Sequence, residues 1–304
     1  MSVLLYANKD HFNVFDALVG FSDTTRYFYT ALKENKIPCQ VCFEPDVSKA
    51  KNHSIILPRF EVPTPGDVLA QKNYLSFLSD LADIEQSSKG KKLFWNSPKT
   101  MLENFNKEYL LELSDVVDET IFATSVDDVL NFLSYQNDKY TILKPTNGSK
   151  GVGVEQIRKD FPGVELFVRN YFSLYADDKG RIIVQDFNSD IAKYGDTRLN
   201  VVDGQLISAM TRTPAHGSVK ANIHAGASAT KYELQQKDFD LIQTIQPFLK
   251  EKNIYLAGVD VCKETLIEVN LLSPGGVVRS DYFNGNTKTK DFFVDRIRSY
   301  LKNL

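Results

Sequence analysis

The sequence predicts an α/β protein of two or three domains, and three observations support this fold class. Short apolar runs alternate with amphipathic segments over residues 1–110, which is the pattern of a parallel sheet covered by helices. Residues 111–187 combine helix and strand signals in a smaller unit of α+β type. The chain has 304 residues, 42% of them hydrophobic, and this size exceeds what a single core usually supports.

The first unit opens with an apolar strand signal at residues 3–7, which is too short for the apolar core of a secretory signal. Further strand signals lie at 39–43, 54–58 and 93–95. Amphipathic helices are predicted near 24–35 and 67–83. The segment Asp23-Thr24-Thr25 can cap the first of these helices, and the same helix N-terminus could instead receive a substrate carboxylate.

The rest of the chain adds a second helix–strand unit and a longer third one. A helix begins at 124–128 and runs to Tyr135, ahead of a strand at 140–144. Later strands are predicted at 199–202, 206–212, 255–261 and 266–270, with helices at 234–251 and 289–302. The apolar face of the last helix is interpreted as core and not as a membrane element, and it consists of Phe292, Phe293, Ile297 and Leu301.

Composition excludes several classes of partner. The net charge is −3 and the Lys and Arg residues are dispersed, so the electrostatic footprint of a nucleic-acid-binding protein is missing. Three cysteines, the lack of a signal peptide and the lack of any apolar run near roughly 18 residues favour a protein of the reducing cytoplasm that does not enter a membrane. Cys39 and Cys42 lie three apart on a predicted strand and therefore point to opposite faces, which argues against a redox or metal pair.

The most informative segment runs from Leu143 to Val154, where Lys144 leaves an apolar strand and enters a glycine-rich loop. Gly148, Gly151 and Gly153 would let backbone N–H groups approach an anion without interference from a Cβ, and the lysine adds a positive charge beside them. The spacing is neither that of a Walker A loop nor that of a dinucleotide-binding loop. The pattern indicates a phosphate site, with an ordinary glycine-rich hairpin turn as the alternative.

A second chemical pattern lies in the segment from Leu256 to Asn270, which reads as two strands joined by a short turn. Alternation along the strands places Glu268 and Asn270 on one face, and Asp260 can lie across from them. Oxygen ligands of this kind suit Mg²⁺, which usually takes one or two carboxylates together with substrate phosphates. The alternative is that the carboxylates lie on the solvated face of an edge hairpin.

Further motifs agree in order and spacing, and together they make the chain resemble the ATP-grasp superfamily and, within it, the bacterial glutathione synthetase family. Besides the glycine loop and the acidic hairpin, the resemblance rests on these segments: Asn96-Ser97-Pro98, Asn106-Lys107-Glu108-Tyr109, Gln185-Asp186-Phe187, Gly195-Asp196-Thr197-Arg198, Val201-Val202-Asp203-Gly204, Thr211-Arg212-Thr213-Pro214-Ala215, Ala221-Asn222, Ala225-Gly226-Ala227 and Ser273-Pro274-Gly275-Gly276. It implies an ATP-grasp fold preceded by a Rossmann-like pre-ATP-grasp domain, with ATP and Mg²⁺ as cofactors.

The resemblance also implies roles for individual residues. ATP would be bound by Lys107, Lys144, Gly148, Ser149, Gly151, Gly153, Gln185, Asp186 and Phe187. The metal ligands would be Asp260, Glu268 and Asn270, and the substrate-binding residues would be Arg59, Asn222, Gly226, Ser273, Gly275 and Gly276. The domains would be an acceptor-contacting domain at 1–110, a central lid at 111–187 that moves for exchange, and a C-terminal domain with the metal site at 188–304.

The implied activity is that of an ATP-dependent carboxylate–amine ligase acting on small molecules, with γ-glutamylcysteine and glycine as the family's substrates. Joining a carboxylate to an amine in water requires a better leaving group than hydroxide, and an acylphosphate formed from ATP supplies it. Arg212 is the candidate for steadying the transferring phosphoryl group, with Arg198 as the second arginine.

Departures from the family pattern leave the acceptor open. Arg59 is retained at the end of the first unit, but the residues around it differ from the family's Arg-x-Asp-Pro-Pro segment. The loop near Gly226 has fewer glycines and carries His224. Two alternatives therefore remain: a ligase that adds an amino acid such as glutamate to a peptide or protein terminus, and a non-catalytic relative in which ATP regulates an interaction. A homo-oligomer is possible, although no sequence feature marks its interface.

Overall fold

The structure is a computed structural model that describes residues 1–16, 20–21, 23–136, 140–148, 151–215 and 226–303. Within these ranges the strands form three larger sheets, of four, four and five strands, and one two-stranded ribbon. Among the described residues, no helix combines the length and the apolar composition that a membrane crossing requires.

The first sheet confirms the predicted parallel α/β arrangement. Its part of the chain contains β1 (Val3–Ala7), α1 (Lys9–Asn13), β2 (Phe15–Asp16), β3 (Gly20–Phe21), α2 (Thr24–Glu34), β4 (Cys39–Cys42), β5 (Ile55–Arg59), α3 (Val68–Ser87), β6 (Leu93–Phe94), α4 (Pro98–Glu103) and α5 (Tyr109–Glu112). The spatial order is β4-β1-β5-β6, and every pair is parallel. The Asp23 side chain caps α2 by accepting a bond from the Arg26 amide at 2.7 Å, as the sequence predicts.

Helices cover both faces of this first sheet, because alternate residues of β1 point to opposite sides. Val3 and Leu5 pack in one buried cluster with Phe28 of α2, whereas Leu4 packs in another with Phe77 of α3. Helix α3 extends to Ser87, four residues beyond the predicted end, because Ile84 also packs against the core.

The second sheet is antiparallel, with the order β7-β10-β8-β9. Its elements are β7 (Thr120–Ala123), α6 (Val126–Tyr135), β8 (Tyr140–Lys144), β9 (Glu155–Arg158), α7 (Val164–Tyr175) and β10 (Ile182–Asp186). Helix α6 begins at a capping box in which Ser125 and Asp128 satisfy each other's backbone amides. Phe132 of α6 and Val168 of α7 pack with Leu143 and Val184, so both helices lie on one face of the sheet. This is the predicted α+β unit.

The third sheet has five antiparallel strands in the order β13-β12-β11-β14-β15. Its elements are α8 (Asp190–Tyr194), β11 (Asp196–Val202), β12 (Gln205–Thr213), β13 (Ser228–Lys231), α9 (Gln236–Glu251), β14 (Leu256–Cys262), β15 (Thr265–Asn270), α10 (Val277–Phe283) and α11 (Lys288–Asn303). The predicted core face of α11 is confirmed, because Phe293 and Ile297 are fully buried and Phe293 stacks on Phe28 of the first unit at 3.9 Å between ring centroids.

Asn96 joins the first sheet to the third. Its amide oxygen accepts bonds from the Tyr255 and Leu256 amides, both at 2.7 Å, and its nitrogen donates to the carbonyls of Leu256 and Leu271. A side-chain amide that replaces backbone pairing in this way fixes the approach of two segments. The predicted domain boundaries near residues 110 and 187 coincide with changes of sheet, and the division into separate domains remains a prediction.

Candidate active site

A cleft of about 970 Å³ that opens to solvent is lined by residues of the second and third sheets. The second-sheet side contributes Lys144, Gln185 and Phe187, and the third-sheet side contributes Arg212 and Glu268. Ligand sites are commonly clefts with apolar walls and a few convergent polar groups. The cleft therefore brings together the two patterns that the sequence places more than a hundred residues apart.

Lys144 is the last residue of β8, and its side chain is buried in the wall of this cleft. Its Nζ donates to Oε1 of Gln185 at 2.5 Å, and Gln185 in turn donates to Oγ1 of Thr120 at 2.8 Å. In the described part of the chain its hydrogen-bond partner is thus a neutral amide and not a carboxylate. Burial lowers the pKa of Lys144 to about 8. An ammonium group desolvated against a neutral partner is stabilised when an anion enters beside it.

The loop after β8 contains the three glycines of the predicted phosphate site, each in a conformation that favours glycine. Gly148, Gly151 and Gly153 have φ values of +99°, +73° and +73°, which disfavour any residue with a Cβ. Space is also limited, because a Cβ on Gly148 would lie 2.3 Å from Cγ of Pro65. Ser149, the remaining predicted phosphate contact in this loop, lies outside the described residues.

The hairpin of β14 and β15 places the three predicted metal ligands together. Asp260 pairs directly with Glu268, and Asn270 pairs with Gly258, so alternation puts all three side chains on one face. Nδ2 of Asn270 donates to Oδ2 of Asp260 at 2.9 Å. Oε1 of Glu268 lies 3.1 Å from Nζ of Lys107, the other predicted phosphate lysine. The carboxylates therefore face the cleft and not the solvated side of an edge hairpin.

A row of alternating charges crosses the third sheet beside these residues. Arg198 donates to both oxygens of Asp260, from Nε at 2.5 Å and from Nη2 at 3.0 Å. Arg212 donates to both oxygens of Asp196, at 2.7 and 2.5 Å, and its Nη2 also lies 2.9 Å from Oδ1 of Asp260. All four residues are buried, and each charge touches an opposite one.

Burial and the neighbouring charges shift the pKa values of three residues in this row, Asp260, Arg212 and Asp196. Burial opposes ionisation of Asp260, but Arg198 and Arg212 outweigh burial and hold the pKa of Asp260 below its usual range. Burial also disfavours the charged form of Arg212, yet Asp260 and Asp196 together raise the pKa of Arg212. Asp196 has Arg212 as its close partner, and burial raises the pKa of Asp196. The two arginines are therefore fixed, permanently charged groups at the wall of the cleft.

The donor set suits a magnesium ion better than a transition metal. Among the described residues, no three His, Cys, Asp or Glu side chains form a metal cluster, so an ion here would rest on two carboxylates, one amide oxygen and phosphates. Mg²⁺ is commonly bound in this way. Asp260 already has four donor contacts, from Arg198, Arg212 and Asn270, which fill the about four lone-pair positions of a carboxylate. It would have to release one of them to bind a cation.

The predicted ATP-binding segment Gln185-Asp186-Phe187, which the resemblance places against the adenine base, lies at the end of β10. The amide of Asp186 donates to the carbonyl of Glu119 at 3.0 Å, so this N–H is not available to a base. Phe187 follows the strand, is buried, and lines the cleft together with Ile142 and Val154. A backbone N–H that donates to adenine would have to come from a residue after Asp186.

Three of the predicted substrate residues, Ser273, Gly275 and Gly276, lie in a turn between Arg59 and Arg198. Nη2 of Arg59 donates to the carbonyl of Pro274 at 2.7 Å, and Nη1 of Arg198 donates to the carbonyl of Gly275 at 2.8 Å. The Ser273 hydroxyl donates to the Arg59 carbonyl at 3.3 Å. Gly276 has a φ of +99° and is the N-cap of α10, and no atom of the described residues would lie within 4 Å of a Cβ on Gly226. Asn222 and His224 lie outside the described residues.

Sequence reasoning assigned no role to Asp196, although alternation on β11 places it on the same face as Arg198. The preceding Gly195 has a φ of +72°, and a Cβ there would lie 2.3 Å from the carbonyl oxygen of Arg212. Glycine thus lets the Arg212 backbone approach while Asp196 holds its side chain. The signal was the carboxylate directly after a glycine in the Gly195–Arg198 segment.

Comparison with known proteins identifies two related sequences and one structure of similar fold. The glutathione synthetase of Prochlorococcus marinus subsp. pastoris is 28% identical over 259 residues, which cover 85% of this chain and 80% of the relative. The glutathione synthetase of Agrobacterium fabrum is 28% identical over 195 residues, which cover 64% of this chain and only 59% of the relative. The crystal structure of the D-cycloserine synthetase DcsG matches with a TM-score of 0.74 and 15% identity over 97% of this chain and 99% of that one, a likeness of fold.

The family model for the ATP-grasp domain of prokaryotic glutathione synthetase matches residues 106–284. This range contains the lysines, the glycine loop, both arginines and the acidic hairpin of the cleft. It also spans more than half of the chain, and the protein therefore belongs to the prokaryotic glutathione synthetase family of ATP-grasp proteins.

Proposed function

We propose that this protein is an ATP-dependent ligase that joins a carboxylate to an amine through an acylphosphate, with ADP and phosphate as products. The observation that carries the proposal is the buried Lys144, whose partner is a neutral amide, in the same cleft as Glu268 and Asn270. The similarity of this chain to glutathione synthetases supports γ-glutamylcysteine and glycine as its substrates.

The second sheet and its glycine loop would bind the nucleotide. Lys144 and Lys107 would neutralise phosphate oxygens, and the N–H groups of the loop, which includes Ser149, would close over them. The apolar wall at Phe187 would pack against the base, with Gln185 and Asp186 at its edge. Gln185 would keep Lys144 oriented through the bond that it already accepts.

Glu268, Asn270 and Asp260 would hold Mg²⁺, with Asp260 giving up one of its present donors. When bound, Mg²⁺ supplies positive charge against the oxygens of the β- and γ-phosphates. Glu268 would exchange its contact with Lys107 for this role and free that lysine for phosphate.

The reaction would proceed in two transfers. An acceptor carboxylate oxygen attacks the γ-phosphorus as its bond to ADP breaks, and the acylphosphate results. The amine then attacks the acyl carbon, phosphate leaves, and the amine nitrogen loses a proton. Arg212 and Arg198 would stabilise the charge that develops on the phosphoryl and acyl oxygens. Because both arginines are already held by carboxylates, little reorganisation is needed.

The acceptor would bind on the side of the cleft away from the base. Ser273, Gly275 and Gly276 lie in the turn that accepts bonds from Arg59 and Arg198, and Gly226 and Asn222 belong to the segment beyond β12. All three cysteines are free, which supports the expected reducing cytoplasm.

The test is phosphate release from MgATP with γ-glutamylcysteine and glycine supplied together and singly, with products identified by mass. Glutathione that forms only when both are present supports the proposal. Turnover with another amine or with a peptide terminus would favour a peptide-extending ligase. Two results would favour the non-catalytic role. One is nucleotide binding without turnover on any acceptor. The other is that an Asp260→Ala/Glu268→Ala variant retains the full biological effect of the protein.

A further inference from the structure

The segment Asn106-Lys107-Glu108-Tyr109 contains two residues that the proposed reaction leaves without a role, Glu108 and Tyr109. Lys107 itself has a φ of +61°, which is uncommon for a residue with a side chain. Backbone in such a sparsely populated region persists only where the surrounding structure holds it, and it is frequent at ligand sites. The contacts of Glu108 and Tyr109 show what holds Lys107.

Tyr109 attaches this segment to the third sheet. Its side chain is buried, and its hydroxyl donates to the carbonyl of Val269 at 2.8 Å and accepts from the Val269 amide at 3.2 Å. Val269 lies on β15 between Glu268 and Asn270, two of the predicted metal ligands. The bonds of Tyr109 therefore fix one side of Lys107 relative to the acidic hairpin.

Glu108 attaches the same segment to the turn that precedes β10. Its Oε1 accepts a bond from Nη1 of Arg181 and lies 3.5 Å from Nζ of Lys179. The bond from Arg181 is the largest of the effects that hold the pKa of Glu108 below its usual value. Glu108 is also the N-cap of α5, but its side chain makes no capping bond with the described residues. The carboxylate therefore serves the contact with Arg181 and not the helix.

Arg181 is fixed in place before it reaches Glu108. One oxygen of Asp177 accepts bonds from the Lys179 and Arg181 amides at 3.0 and 2.8 Å. The other oxygen accepts from Nε and Nη2 of Arg181 at 3.1 and 2.9 Å, and the guanidinium carbon lies 5.5 Å from the ring centroid of Phe122. Exposed ion pairs usually contribute little, but bidentate arginine pairs within a network are the exception. Arg181 is thus a rigid contact point for Glu108.

This contact connects the two segments that carry the phosphate lysines. Ile183, two residues after Arg181, pairs with Lys144 in the ladder of β10 and β8, and Glu108 follows Lys107 directly. Burial is the main cause of the lowered pKa of Lys144, and Lys107 is a nearby cation that lowers it further. The two ammonium groups therefore repel each other while no anion lies between them. The bond between Glu108 and Arg181 opposes their separation.

We propose that Glu108 and Arg181 are positioning residues that hold Lys107 beside Lys144 before the nucleotide arrives. The inference rests on the proposed function, because it takes both lysines as phosphate ligands, but it does not depend on which carboxylate and amine are joined. When two like charges are already held together, an anionic ligand does not have to bring them together as it binds. Loss of the link should therefore weaken nucleotide binding, and it should do so through Lys107.

The experiment measures the Kd of a non-hydrolysable MgATP analogue by calorimetric titration. We expect Glu108→Ala to weaken binding by roughly 10-fold, the lower value of a hydrogen bond to a charged group. Glu108→Gln keeps a neutral acceptor for Arg181 and should lose no more than about 3-fold. Glu112→Ala is the matched control, because it removes another carboxylate of α5, half-exposed and 3.1 Å from Nζ of Lys252. It should change the Kd by less than about 2-fold.

Lys107→Met distinguishes a positioning role from a purely structural one. In that background Glu108→Ala should weaken binding no further, because the lysine that Glu108 positions is absent. In a Lys144→Met background the full loss should remain. Melting temperatures of all variants check that the fold is kept.

Two outcomes overturn the inference. One is that Glu108→Ala binds the analogue as tightly as the wild type does. The other is that Glu108→Ala weakens binding by the same factor with and without Lys107. Either outcome, in a wild type that forms glutathione, would leave the proposed ligase function intact. Nucleotide binding that depends on Glu108 through Lys107, without ligation of any carboxylate to an amine, would instead sink the ligase proposal and retain the positioning role.

Discussion

The second and third sheets present their buried cations to the cleft in opposite ways. On the second sheet, Lys144 is bonded to the neutral amide of Gln185, and burial lowers its pKa to about 8. On the third sheet, Arg212 lies between Asp196 and Asp260, and these carboxylates raise its pKa. Both side chains are under 10% exposed. Burial alone therefore does not explain the difference.

The contrast separates binding from positioning. A buried cation without a carboxylate leaves room for an anionic ligand, which supplies the missing charge when it arrives. A buried cation that is already paired gains little from a new anion but keeps a fixed direction, which is what transition-state stabilisation requires. By this criterion we propose that Lys144 binds an anionic group of the ligand, whereas Arg212 and Arg198 are preorganised groups.

The largest expected effect is that of Arg212→Ala. The substitution leaves Asp196 without its close partner and removes one contact of Asp260, so we expect the free energy of unfolding to fall by about 3 to 5 kcal/mol. Product formation should fall by at least about 100-fold in the protein that stays folded. Chemical denaturation and initial rates measure the two effects. A stable, active variant would contradict the assignment of Arg212 as a preorganised group.

Asp196→Asn should act through Arg212. The arginine keeps its contact with Asp260 but loses its charged bidentate partner, and we expect kcat to fall by roughly 10- to 100-fold with little change in the KM for ATP. In a double variant with Arg212→Ala, Asp196→Asn should lower kcat no further, because the arginine side chain that Asp196 positions is already absent. An additive loss in the double variant would show that Asp196 acts independently.

Lys144→Met should lower nucleotide affinity without lowering stability, whereas Arg212→Ala is expected to destabilise the protein. Removal of a desolvated charge with a neutral partner should leave the melting temperature unchanged or raise it. MgATP affinity should fall by roughly 10- to 100-fold, the value of a hydrogen bond to a charged group. Calorimetric titration with a non-hydrolysable ATP analogue measures this. Strong destabilisation with intact nucleotide affinity would make Lys144 a structural lysine.

Gly148→Ala should have the smallest effect. The new Cβ would lie 2.3 Å from Cγ of Pro65, so the loop must shift away from the first unit, and kcat/KM for ATP should fall by roughly 10-fold. Gly180→Ala is the matched control, because Gly180 also has a positive φ of +72°, but among the described residues no atom would lie within 4 Å of the new Cβ. Equal effects of the two substitutions would show that backbone strain, and not the contact with Pro65, limits the loop.

Local patterns sufficed to predict a large part of this arrangement from the sequence. Period-2 alternation and a short turn place Asp260 opposite Glu268, and the end of an apolar run places Lys144 at the mouth of the glycine loop. The parallel first sheet follows from its helix–strand rhythm. Each of these features depends on residues that are neighbours along the chain.

Long-range pairing could not be predicted in the same way. The partnership of Arg198 with Asp260 depends on the register of strands 62 residues apart, which no local pattern specifies. Helix α7 was not predicted from the sequence; its buried residues Val168 and Tyr171 pack on the second sheet. Charge compensation, which distinguishes Lys144 from Arg212, becomes visible only once the sheets are assembled.

The most direct test of the ligase chemistry uses γ-glutamylcysteine labelled with ¹⁸O in the reacting cysteinyl carboxylate. With MgATP and glycine, the acylphosphate route transfers one labelled oxygen to each phosphate released, because the attacking carboxylate oxygen leaves with phosphorus. Mass analysis of the phosphate measures this. The account predicts one ¹⁸O per phosphate for each glutathione formed, and unlabelled phosphate during glutathione formation would contradict it.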